Sequence, residues 1–85
     1  HNDEKHLSGK YVNVLKEGFV SIDMAQNILV VKTVSGMAMA VAAAIDAMKY
    51  PEIVGTIAGD DTIMMAVRTV EDTKSLMNQI LQLVH

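Results

Sequence analysis

Residues 53–67 read IVGTIAGDDTIMMAV, and the fold turns on how this run divides. Two six-residue stretches, 53–58 and 62–67, are rich in apolar and β-branched residues, the composition of short strands. Between them stand Gly59, Asp60 and Asp61. Glycine takes backbone angles that other residues resist, and aspartate side chains accept hydrogen bonds from nearby amides. The run is therefore predicted as strand, turn, strand, ending at Arg68.

Upstream, residues 28–34 (ILVVKTV) form a second β-rich run, with Lys32 pointing outward. Residues 19–25 (FVSIDMA) alternate imperfectly, Phe19 and Asp23 on one parity and Val20, Ile22 and Met24 on the other. With Gln26 and Asn27 as the turn, the two runs read as a hairpin. Ser35 and Gly36 stop the second strand, and Ser35 is placed to cap the helix that follows. That helix, residues 37–48 (MAMAVAAAIDAM), has strong helix formers and Asp46 as its one charge. A helix with so little polar surface is expected to be covered on both faces, by its own sheet and by a neighbouring subunit. Pro51 closes it.

Thr69 with Asp72 has the form of a capping box. Leu76, Met77, Ile80, Leu81 and Val84 then form one apolar stripe of a second helix. At the other end of the chain, Tyr11, Val14 and Leu15 place a short helix over residues 10–17, closed by Gly18. The predicted fold class is α+β: a four-stranded sheet with two helices packed on it, in the order (short helix)-β-β-α-β-β-α. Residues 1–9 are expected to be a linker or disordered tail and residues 10–85 the folded domain, with His1 and His6 carrying no ligand role.

Composition narrows the function. The chain has 85 residues, of which 51% are apolar, more than one small interior absorbs, so self-association is expected. A net charge of -3 argues against nucleic-acid binding by this segment. There is no cysteine, which removes disulfides and thiolate metal sites. No apolar run is long enough to span a membrane. The three histidines sit at positions 1, 6 and 85 and no serine stands in a nucleophile motif, so an enzyme is not expected.

The acidic turn admits three readings from its residues: a solvated turn held by its own side chains, a hard-cation site short of oxygen ligands, and a carboxylate pair for a guanidinium or ammonium group.

At this point a resemblance enters. GTIAGDDTI at 55–63, preceded by Lys32, Thr33, Gly36 and an alanine-rich helix carrying Asp46, resembles the C-terminal domain of the bacterial arginine repressor family. The likeness covers roughly residues 14–84, and the stretch Arg68-Thr-x-Glu-Asp-Thr73 adds to it. The resemblance implies a cytoplasmic regulator of arginine metabolism. Its N-terminal winged helix-turn-helix domain, absent from this chain, would contact operator DNA. The C-terminal domain would form trimers that stack into hexamers, with no membrane partner, no metal and no cofactor. L-arginine would bind between trimers as corepressor. By position, Asp60 and Asp61 would hold the ligand across that interface, Asp46 would approach its α-amino group, and Thr56 and Ala58 would line the site. The family commonly has Gln where this chain has Met39, and Met is only a weak acceptor. That departure implies weaker or altered effector binding. The alternative reading is a purely structural oligomerisation domain of a paralogue.

Overall fold

A computed structural model describes residues 2–85, with side chains from Gly9 onward. The elements are α1 (Asn2–Gly18), β1 (Phe19–Ala25), β2 (Ile28–Thr33), α2 (Ala38–Ala47), β3 (Ile53–Ala58), β4 (Thr62–Val67) and α3 (Val70–Val84). This is the predicted order and the predicted α+β class. One helix is longer than expected: α1 starts at Asn2 rather than near Lys10. Residues 2–9 contain no proline to interrupt a helix. The expectations for His1 and for the His6 side chain fall outside the described residues.

The four strands form one antiparallel sheet in the order β1-β2-β4-β3. The β1–β2 turn has positive φ at Gln26 alone, 56°, the pattern of a two-residue type II′ hairpin turn. Helices α2 and α3 cover one face of the sheet, and α1 lies across both of them. Leu29, Val31, Ile63, Met65 and Val67 face the helices and meet Leu15, Val41, Ile45, Leu76 and Ile80 in one core. Thr69 caps α3 by accepting the Asp72 amide at 3.0 Å, as its sequence predicts. The buried Thr73 hydroxyl donates to the Thr69 carbonyl at 2.7 Å, so its polarity is satisfied within the helix.

Two features depart from the sequence reading. The register of β1 on β2 shifts between Phe19 and Ser21. That bulge turns Val20 out to solvent at 58% exposure and brings Phe19 onto the side of Ile22 and Met24. An extra residue in one strand reverses side-chain parity beyond it. Second, Ser35 does not cap α2. The N-cap is Met37, with no side-chain cap, and the Ser35 hydroxyl donates to Asp60 Oδ2 at 3.1 Å instead.

Gly18 joins α1 to the core. Its carbonyl accepts the Val34 amide at 2.8 Å, and a Cβ here would stand 2.6 Å from Val41 Cγ2. Gly18→Ala is expected to lower stability by about 1–3 kcal/mol, because a packed interior resists overfilling. Urea denaturation checks this; an unchanged midpoint would mean that α1 shifts freely on α2.

Candidate ligand site at the acidic turn and helix α2

The turn at Gly59–Asp61 is docked rather than free. The Asp61 carbonyl accepts the Thr33 amide at 2.8 Å and the Asp60 carbonyl accepts the Ala38 amide at 3.1 Å. The second bond satisfies one of the first amides of α2, which has no side-chain cap of its own. The turn backbone thus does the capping that Ser35 was expected to do. With both carbonyls tied down, both carboxylates stay exposed. Asp60 accepts from Ser35, and Asp61 Oδ1 accepts the Thr62 hydroxyl at 2.9 Å. Lys32 Nζ donates to that same hydroxyl at 3.0 Å, so a cation reaches Asp61 through one relay. These bonds stabilise the turn and spread its charge. Among the described residues no group of three or more His, Cys, Asp and Glu is placed to share a metal ion.

Asp46 is elsewhere. It lies near the C-terminal end of α2, eight residues from Ala38, which at the helical rise is roughly 12 Å along the axis. The structure does not bring Asp46 to the acidic pair within one chain. Asp46 shares an exposed helix stripe with Met39, Ala40 and Ala43. Met39, at 72% exposure, stands two turns from Asp46 on that stripe. The opposite side of α2 buries Ala38, Val41, Ala42 and Ile45. One face of the alanine-rich helix is thus covered within the chain and the other is bare.

Thr56 and Ala58 are half-buried on β3, in register with Met65 and Ile63 on the helix side of the sheet. Thr56 Oγ1 is enclosed yet has no hydrogen-bond partner among the described residues. Beside it a cleft of about 300 Å³ opens between α2 and β3, lined also by Asp46, Lys49 and Tyr50. Burial, with a contribution from Glu52, raises the Tyr50 phenol above the ordinary tyrosine range. Sequence reading treats Lys49 and Tyr50 only as helix closure. Lys49 lies beyond the end of α2, in a left-handed turn, so no helical spacing in the sequence points to its place beside Asp46.

Among the described residues no element covers the other face of the sheet. Ile57 is 78% exposed and Met64 52% exposed, and they are direct cross-strand partners. Val30 lies beside Met64 on the next strand. Ile28, Ile57, Met64 and Ala66 line an apolar trough of about 480 Å³. A surface of this kind marks an association site.

Fold and site together define a class: a small α+β sandwich with one bare apolar sheet face and exposed acids at both ends of one helix. The sequence model for the arginine repressor C-terminal domain matches residues 15–82, and the chain belongs to that family of regulator domains, which are not enzymes. It is 67% identical over 82 residues to the arginine repressor of Lachnospira eligens, covering 96% of this chain and 54% of that protein. It is 62% identical over 84 residues to the arginine repressor of Lachnoclostridium phytofermentans, covering 99% and 55%. Against that of Ruminiclostridium cellulolyticum the identity is 49% over 76 residues, covering 89% and 51%. The chain spans about half the length of the curated relatives it matches. No helix among the described residues is long and apolar enough to cross a membrane.

Proposed function

We propose that the chain is the effector-binding and hexamerisation domain of an arginine-responsive, cytoplasmic transcriptional regulator of arginine metabolism. Three copies would associate through the bare sheet face, and two trimers would stack with L-arginine between them as corepressor. One acid of the Asp60–Asp61 pair would take the guanidinium across the interface and the other would help orient the amino end, with Asp46 approaching the α-amino group and Thr56 and Ala58 along the wall. Operator DNA would be contacted only by a winged helix-turn-helix domain preceding α1.

The observation that carries this reading is the placement of the acids. Asp46 and the Asp60–Asp61 pair are exposed at opposite ends of α2. A ligand gripped by both must take them from different copies, so binding and assembly would be one equilibrium. Like charges facing across the empty interface would repel, and a bound cation would relieve that. That the relatives are arginine repressors supports arginine as the effector.

Sedimentation velocity with and without millimolar L-arginine, with L-lysine as control, tests it. The expected result is a shift from trimer to hexamer with arginine alone. A hexamer indifferent to arginine would favour the second reading, a structural association domain. Met39 favours that reading: it stands on the α2 stripe at 72% exposure and offers a ligand little hydrogen bonding. A monomer under both conditions would sink both.

A further inference from the structure

The cleft between the C-terminal end of α2 and β3 holds one acid, Asp46, one base, Lys49, a phenol, Tyr50, and the hydroxyl of Thr56. Its volume of about 300 Å³ is at the lower end of small-ligand sites. Three details set it apart from ordinary surface. Thr56 Oγ1 is enclosed without a partner among the described residues, although buried hydroxyls are nearly always bonded. Lys49 has φ 60°, a left-handed conformation costly for a residue with a side chain, held by its amide donating to the Asp46 carbonyl at 3.1 Å. Tyr50 donates its hydroxyl to Met48 Sδ at 3.6 Å, a weak acceptor that a better one displaces.

An anion and a cation side by side, with two hydroxyls between core and solvent, complement a group that itself carries both charges. The head of an α-amino acid does: ammonium and carboxylate on one carbon. We propose that Lys49 is the specificity-determining residue of this cleft, pairing the α-carboxylate of the amino-acid effector, with the Tyr50 hydroxyl adding a hydrogen bond. Lys49 then supplies a carboxylate contact from within the cleft, whose lining does not include Met39, and the site selects a free amino acid over a neutral-headed analogue. This rests on the effector-binding reading above and names the residue that gives it specificity.

The test is calorimetric titration of the 85-residue chain with L-arginine and with L-argininamide. The amide keeps the ammonium and guanidinium and lacks the carboxylate charge. Working at about pH 6.5 keeps both α-amines protonated. The unaltered chain is expected to prefer L-arginine by about tenfold or more, the usual effect of a hydrogen bond to a charged group. Lys49→Met should cut that preference to within about threefold, and Lys49→Arg should keep it. Both variants carry an unbranched side chain at φ 60°, so the fold is equally burdened in each.

An undiminished preference in Lys49→Met would overturn the proposal. So would tighter binding of both ligands by that variant, the result expected if Lys49 merely neutralises Asp46 within the chain. No binding of L-arginine by the unaltered chain would overturn the effector reading, and this one with it.

Discussion

Asp61→Asn is expected to leave the fold intact and to abolish the response to L-arginine. The substitution keeps the size and one carbonyl oxygen, so the contact from the Thr62 hydroxyl, 2.9 Å in the unaltered turn, has an acceptor still. The backbone carbonyl that takes the Thr33 amide is untouched. What goes is the charge. A guanidinium desolvated between two subunits and deprived of its carboxylate loses about 2–5 kcal/mol, thirtyfold or more in affinity. The calorimetric signal at millimolar arginine should vanish, and the sedimentation profile should become that of the arginine-free protein at every ligand concentration. An urea midpoint equal to that of the unaltered chain separates lost binding from lost folding. If Asp61→Asn binds arginine normally while Asp60→Asn does not, Asp60, the carboxylate that accepts from Ser35, is the one that takes the guanidinium.

The second large effect concerns the bare sheet face. Met64→Lys is expected to yield a folded monomer. Met64 is 52% exposed in the single chain, with Ile57 and Val30 on either side of it. A lysine there is tolerated by the monomer, since its ammonium reaches water. In a trimer closed over this face, each copy would bury one unpaired ammonium, at several kcal/mol apiece, with three like charges near one axis. Sedimentation at tens of micromolar should show a single monomeric boundary, while circular dichroism stays unchanged. A trimer surviving Met64→Lys would mean that association uses the α2 stripe of Met39, Ala40 and Ala43 instead.

The two variants probe different surfaces, and their effects should not add. Met64→Lys removes arginine binding indirectly, since a site built from several copies disappears with the assembly. Asp61→Asn removes it directly and leaves the trimer. An arginine-binding monomer of Met64→Lys would show that one chain suffices as a site, against the separation of Asp46 from the acidic turn.

Much of this protein is determined by local sequence. The four strands, the Thr69 cap and the apolar stripe of α3 follow from period, turn chemistry and propensity, which act over a few residues. The motif GTIAGDDTI with Asp46 pointed to the family for the same reason: it is a contiguous chemical pattern. Other features waited on the tertiary structure. The adjacency of β2 and β4 is a pairing of segments thirty residues apart, set by which faces meet. The bulge at Val20 shows as imperfect alternation, but only pairing with β2 decides which residue is ejected. Ser35 has the residue type of a cap, yet a docked carbonyl from Asp60 reaches the helix end first. The separation of Asp46 from the acidic pair, and the meeting of Asp46, Lys49, Tyr50 and Thr56 in one cleft, exist only once α2 lies along β3. Local physics assigns each residue its kind of structure; which side chains share a space is decided by packing between distant segments.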